Sequence, residues 1–173
     1  MIKAPIPENE ARRLATLRAY HVLDSMPELE FDEITELAAA ICRTPISLIS
    51  LVDTNRQWFK SRRGLDAGET SRDYAFCAHA ILDSGTMIVP DAHLDARFFD
   101  NPLVTSAPHV RFYAGAPLTV PSGERLGTLC VIDREPRTLS AEQIRAIELL
   151  ARHVASRLEM RRQIAELERS APE

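Results

Sequence analysis

Residues 111–119, Arg-Phe-Tyr-Ala-Gly-Ala-Pro-Leu-Thr (RFYAGAPLT), alternate two kinds of side chain. Phe112, Ala114, Ala116 and Leu118 fall on one side of an extended chain, and Arg111, Tyr113, Gly115 and Thr119 on the other, because successive side chains of a strand point to opposite faces. A Pro121-Ser-Gly123 turn leads into Leu126-Gly-Thr-Leu-Cys-Val-Ile132, so the two segments read as an antiparallel pair. One face of that pair is core. The other presents polar and aromatic groups.

Working outward, Ile46-Ser-Leu-Ile-Ser-Leu-Val52 is β-rich and apolar on both faces, and Asp53-Thr-Asn-Arg56 turns it into Gln57-Trp-Phe-Lys-Ser-Arg62. A second hairpin follows from this. A short strand is predicted at 86–89, closed by Pro90-Asp91. Residues 64–73 read as a loop and 92–110 as a long irregular stretch, the kind of connection that tends to be functional.

Helices flank these strands. Residues 8–20 carry Ala11, Leu14, Leu17 and Arg18 at helical spacing. A second helix is predicted to start at Ser25-Met-Pro-Glu28, with Ser25 as its cap, and to end before Pro45. Ser140 and Gln143 form a capping-box pattern, with Leu139 placed to staple onto Ile144, opening a helix over 140–168. Its apolar stripe, Ile144, Ile147, Ala151, Val154 and Leu158, gives way to EMRRQIAELERS, too polar to be buried by the same domain. That second half suggests a dimer stalk or a connection to another domain.

The chain of 173 residues is read as one domain, with a core over 28–160. A formal net charge of -4 gives no basic excess for nucleic acid. No signal-peptide core and no run of about 18 apolar residues is present, so the expectation is a soluble cytoplasmic protein with no membrane partner. Cys42, Cys77 and Cys130 lie far apart in apolar settings and read as buried reduced thiols.

Chemistry concentrates in Arg72-Asp-Tyr-Ala-Phe-Cys-Ala-His-Ala-Ile81. Cys77 and His79 lack the further ligands a metal needs, no CxxC or HxxxH pattern occurs, and residues two apart on a helix point away from each other, so no metal site is expected. The same geometry argues against a Cys–His catalytic pair. The remaining candidates for a ligand site are Trp58, Lys60, Cys77, His79, Asp91, Arg97, Asn101, Arg111 and Tyr113. Arginines, a lysine and aromatic rings together would suit a small anionic or planar ligand. Two alternatives stay open: Arg97 and Arg111 as structural ion pairs with Asp91 or Asp100, and Trp58 as core packing.

The succession of Ile46–Asp53, Arg56-Gln-Trp-Phe-Lys-Ser61, Phe76-Cys-Ala-His-Ala-Ile81, Arg97-Phe98, Asp100-Asn-Pro-Leu-Val104, Arg111–Leu118 and Gly127-Thr-Leu-Cys-Val-Ile-Asp133 resembles a bacterial sensory GAF domain. That subgroup is found with histidine kinases and cyclic-di-nucleotide enzymes, and the resemblance spans roughly residues 10–160. It implies an α+β fold with a central antiparallel sheet of five or six strands. The terminal helices would pack on one face, and loops and short helices would form a pocket on the other. It further implies a non-enzymatic sensor of a small molecule, with no tightly bound cofactor. Such a sensor would be a homodimer through its N- and C-terminal helices, acting on a kinase or cyclase output domain. Two rivals accompany it: a thiol redox enzyme of the free methionine sulfoxide reductase type using Cys77, and a module that only dimerises. Phytochrome-like GAF domains attach pigment at a cysteine directly before a histidine, and here Ala78 intervenes. The cyclic-nucleotide signature of phosphodiesterase GAF domains has no counterpart in the chain. Nothing in the sequence decides between a stand-alone regulator and part of a longer signalling protein.

Overall fold

A computed structural model describes residues 1–172. In chain order the helices are α1 (Glu10–Ala19), α2 (Leu29–Cys42), α3 (Phe76–Ala80), α4 (Pro102–Thr105) and α5 (Ala141–Ser170). The strands are β1 (Ile46–Val52), β2 (Arg56–Arg63), β3 (Glu69–Ser71), β4 (Met87–Val89), β5 (Phe112–Thr119) and β6 (Arg125–Asp133). The strands form one antiparallel sheet in the order β3-β2-β1-β6-β5-β4, so both predicted hairpins are present and β1 and β6 lie at its centre. The fold is α+β.

The two faces of the sheet bury separate cores. Phe112, Ala114, Ala116 and Leu118 of β5 join Phe31 and Ala38 of α2 and Ile147, Ala151, Val154 and Leu158 of α5 in one cluster. On the other face Tyr113, Leu48, Cys130 and Ile132 pack with Phe76, Cys77 and Phe98 from the middle segments. The period-two pattern of 112–118 therefore sorts its residues as read: aliphatic ones to the helices, Tyr113 to the loop side.

The start of α5 and the end of α2 follow local chemistry. Ser140 Oγ accepts from the Gln143 amide at 3.1 Å and Gln143 returns the contact, closing the capping box that opens α5. Arg43 takes a left-handed conformation at the end of α2, just ahead of Pro45. The start of α2 differs from the sequence expectation. Glu28, not Ser25, stands at its N-cap in an extended conformation with no side-chain cap, and Ser25 Oγ instead bonds to Val22 O and Lys60. The segment read as a loop over 64–73 also contains the short edge strand β3.

No helix among the described residues is long and apolar enough to cross a membrane. The far end of α5 is exposed beyond Leu158 but not detached. Arg161 Nε donates to Glu28 Oε2 at 2.9 Å, and Arg162 pairs with Glu159, whose carboxylate accepts from Tyr20 Oη at 2.6 Å.

Candidate functional site

A cavity of about 360 Å³ lies on the loop-covered face of the sheet. Its inner wall is Leu48, Phe59, Phe76, Tyr113, Cys130 and Ile132, all buried. Its mouth opens between the 64–67 loop and the segment from α4 to β5, where Asp66, Ala67, Ala107 and Arg134 are exposed. Gly64 sets the first of these lips. Its φ of +77° is a left-handed conformation, and a Cβ there would lie 2.1 Å from the carbonyl oxygen of Pro45, so the chain leaves β2 at an angle only glycine allows.

Strand β2 sends alternate side chains to both layers, and a bulge interrupts its pairing with β1. Ile49 pairs with Ser61 and Ser50 with Phe59, leaving Lys60 as the extra residue. Gln57 and Phe59, paired with Val52 and Ser50 ahead of the bulge, line the cavity, and the bulge brings Ser61 to the same side as Lys60. Trp58, Lys60 and Ser61 point to the helices. Lys60, whose side chain is fully buried, donates to Met26 O at 2.6 Å and Ser25 Oγ at 2.8 Å and pairs with Glu28 at 2.5 Å. Ser61 Oγ donates to Asp32 Oδ1 at 2.6 Å and meets Thr35 at 2.8 Å, and Trp58 packs on the helix-side core.

Of the nine sequence candidates, Cys77 and Tyr113 line the cavity. Trp58 and Lys60 are on the opposite face of the sheet, which corrects their expected position. The arginines of the long loop are held by carboxylates. Arg111 forms a two-bond fork with Asp91 at 2.8 and 2.9 Å, and Arg97 a fork with Asp95 at 3.0 and 2.8 Å. The structural alternative for Arg111 is thus the arrangement present, while Arg97 takes Asp95 as its partner. Asp91 and Asp95 are each held below the ordinary aspartate range, first by the hydrogen bonds from these guanidinium groups. Asn101 caps α4, accepting from the Leu103 amide at 2.9 Å and donating to Tyr74 O at 3.0 Å. His79 stands outside the cavity wall: its ring is edge-on to Phe98 and its Nε2 donates to the carbonyl of Ile2 at 3.0 Å, so the N-terminal segment lies over it. Burial pushes its pKa down.

At the inner end sits a small polar knot. Cys77 Sγ is 3.0 Å from Thr128 Oγ1 and 3.2 Å from Tyr113 Oη, and those two hydroxyls are 3.3 Å apart. Thr128 and Cys130, two apart on β6, share the cavity-facing side. Burial disfavours the Cys77 thiolate, but the donors around it, Cys130, Ser50, Thr128 and Tyr113, outweigh burial and lower its pKa. Burial and the neighbouring Cys77 push Cys130 well up, so Cys77 ionises first of the two. The Tyr113 ring reaches this knot by lying over Gly115, where a Cβ would sit 2.2 Å from the phenol oxygen. No group of three His, Cys, Asp or Glu side chains suited to a metal ion occurs among the described residues.

Sequence reasoning missed Gln57, Phe59, Leu65, Asp66 and Arg134. Leu65 and Asp66 follow directly from the Gly64 break, a visible signal. For Gln57 and Phe59, β2 mixes polar and apolar residues on both sides, so no residue announces which side faces the cavity.

A sheet with its terminal helices on one side and a loop-walled cavity on the other defines an α+β domain with an open cavity. The pattern of the GAF domain family matches residues 27–158, and the chain belongs to that family. It is 46% identical over 159 residues to a cyclic di-GMP phosphodiesterase of Pseudomonas aeruginosa, covering 91% of this chain but 27% of that protein. Among solved structures, the GAF domain of an Acinetobacter phosphoenolpyruvate-protein phosphotransferase superposes with a TM-score of 0.64 at 16% identity, covering 90% of this chain and 98% of that one. A free methionine-R-sulfoxide reductase from Neisseria meningitidis, in complex with its substrate, also gives 0.64, at 17% identity over 95% and 98%. At such identities the two structures share the fold alone.

Proposed function

We propose that this chain is a cytoplasmic sensory domain that binds a small molecule in the cavity and passes its occupancy through the terminal helices to an output activity. The carrying observation is β2. Gln57 and Phe59 on one face line the cavity, and on the other Lys60 holds Glu28, which also binds Arg161 of α5. A ligand that shifts Phe59 therefore acts on the same strand that positions the start of α2 and the far part of α5, a two-sided element of the kind a population shift requires. The relative's description supports cyclic-di-nucleotide turnover as the regulated activity, carried by an attached or partner enzyme, with this chain performing no catalysis itself. A kinase or cyclase is the alternative output. A homodimer through α1 and α5 would convert small helix shifts into output. Mass spectrometry on protein purified under native conditions is expected to find a retained small molecule that the mouth-blocking variant Leu65→Trp loses. Identical spectra from the two proteins, together with no melting shift from a metabolite library, would favour the module that only dimerises.

A second reading draws on the polar knot. Cys77 and Cys130 line one cavity and Cys77 ionises first, as a thiol redox enzyme or sensor of the methionine sulfoxide reductase type would need. Peroxide or methionine sulfoxide reduction that disappears in Cys77→Ser would establish it; equal rates in the variant would remove it.

A further inference from the structure

The charges at the cavity specify its ligand more narrowly than the sequence does. Arg134 is the single cationic side chain lining the cavity among the described residues, since Arg97 and Arg111 lie elsewhere and are matched by Asp95 and Asp91. Its Nε donates to Pro108 O at 3.0 Å, which anchors the guanidinium at the mouth while both of its Nη groups remain without a carboxylate partner. Asp66 lines the same mouth and has no ion-pair partner among the described residues. Behind this one positive and one negative group, the wall is largely aliphatic and aromatic, from Leu48, Phe59, Phe76 and Ile132, with Gln57 and the Cys77–Tyr113 knot as its polar points.

A polyanion fits this arrangement poorly. Phosphate groups are held by clusters of Arg and Lys or by helix N-termini, and a lone guanidinium opposed by a carboxylate supplies neither. A ligand of one charge only would satisfy one lip and be repelled by the other. A volume of about 360 Å³ is also at the small end for ligand pockets.

Building on the sensor reading above, we infer that the cavity takes a small zwitterion with an apolar body, of the class of hydrophobic α-amino acids. Its carboxylate would meet Arg134, its ammonium Asp66, and its side chain would fill the space beneath Tyr113 and Phe59. Arg is suited to the carboxylate because its planar fork can donate two parallel bonds. The two charged lips lie on different segments, the 64–67 loop and the end of β6, so such a head group would also draw the mouth closed.

The inference is tested by editing the ligand and the lips in parallel. Binding to the whole chain is measured by calorimetry for L-phenylalanine, 3-phenylpropionate, phenethylamine, neutral benzyl alcohol and cyclic GMP. L-Phenylalanine is expected to bind at least tenfold more tightly than either half-analogue. Asp66→Asn should erase its advantage over 3-phenylpropionate, and Arg134→Gln its advantage over phenethylamine. Both residues are exposed, so the variants should fold, and unchanged melting temperatures check this. Half-analogues or benzyl alcohol binding as well as the amino acid, or cyclic GMP binding more tightly, would overturn the zwitterion while leaving a ligand-binding cavity in place. No heat from any of the five probes would overturn the zwitterion, and an absence of any retained ligand in native preparations would then take the sensor reading with it.

Discussion

The two faces of the sheet are built from the same strands and solve opposite problems. On the helix face, aliphatic side chains from β1, β5 and β6 interlock with α1, α2 and α5, and among the polar groups that enter, Lys60 and Ser61 find partners at 2.5 to 2.8 Å while the buried Ser47 hydroxyl has none. On the cavity face, short helices and loops leave about 360 Å³ unfilled, and the polar groups are thiols and hydroxyls linked by contacts of 3.0 to 3.3 Å together with the Gln57 amide, which donates to Thr70 Oγ1 at 2.6 Å. Interiors normally pack to crystal density, so one face is optimised for stability and the other leaves room that a ligand can occupy. The difference teaches where a substitution should be felt as lost stability and where as lost binding.

The contrast breaks most directly at two phenylalanines. Phe31, 1% exposed, sits against the helix-side core, and Phe31→Ala should cost about 3–5 kcal/mol in urea unfolding. Phe59, 6% exposed, borders a space that is already empty, so its ring has fewer contacts to lose. Phe59→Ala is expected to cost about 1–2 kcal/mol. Equal losses would mean that the cavity collapses in solution and the two faces are packed alike.

The next effect concerns Lys60, whose charge is buried on the helix face. Lys60→Ala removes three contacts from Ser25, Met26 and Glu28, but Glu28 keeps Arg161. A loss of about 2–3 kcal/mol is expected, below that of an orphaned buried charge. Lys60→Met, which retains the apolar stem volume, should recover part of it. If the bulge couples the faces, both variants also weaken the response of α5 to ligand, read as hydrogen exchange at residues 158–165 with and without a bound molecule. An unchanged response would leave β2 as scaffold only.

How far these features could be seen in the sequence differs by face. The helix face was legible: the alternation of 112–118, the Ile147–Leu158 stripe and the Ser140 cap each report a local preference that the packing then satisfies. The cavity face was legible at Cys77 and Tyr113, which sit in a short apolar helix and an alternating strand. It was obscured elsewhere for two reasons. The hairpin register pairs Gln57 with Val52 and Trp58 with Leu51, so Gln57 and Phe59 took the wall while Trp58 and Lys60 went to the helices, and the mixed polar and apolar residues on both sides of β2 do not show which side is which. The arginines of 91–111 looked available because charge alone does not show pairing, although Asp95 two residues before Arg97 was in view. Arg134 lies just past β6, where a turn residue is ordinarily solvated, and only the folded position of Pro108 brings it to the mouth.

A smaller effect lies where the two layers are tied around the sheet edge. Glu10 on α1 accepts from Arg13 at 2.9 Å and from Arg72, in the turn leading into α3, at 2.5 Å. Burial tends to raise the Glu10 pKa, but the two guanidinium groups outweigh it and bring it to about 2, below the ordinary 4.5. A carboxylate depressed on folding contributes stability that is fully present above its unfolded value and lost as pH falls through the folded one. Between pH 4.5 and 2 the wild type should therefore lose about 1–2 kcal/mol that Glu10→Gln lacks throughout, after allowance for solvent at this partly exposed site. Parallel acid-unfolding curves for the two proteins would show that the tie contributes nothing to stability.

The smallest change in stability is predicted where neither face reaches. Met160, Ile164 and Leu167, spaced by four and three along α5, are 52%, 53% and 69% exposed, an apolar stripe on one side of the helix. Nearby charges, Arg162 with Glu159 and Glu166, keep the segment helical without covering the stripe. Ile164→Glu should accordingly alter urea unfolding of the isolated fold by less than about 0.5 kcal/mol, as for other exposed positions. In the sensor reading the same stripe lies in the homodimer, so the variant should shift light scattering at micromolar concentration from dimer to monomer. A wild-type protein that is already monomeric there would remove the helical route from this reading, since a stalk with no partner cannot turn a shift in α5 into an output, and the cavity would then have to act through the sheet alone.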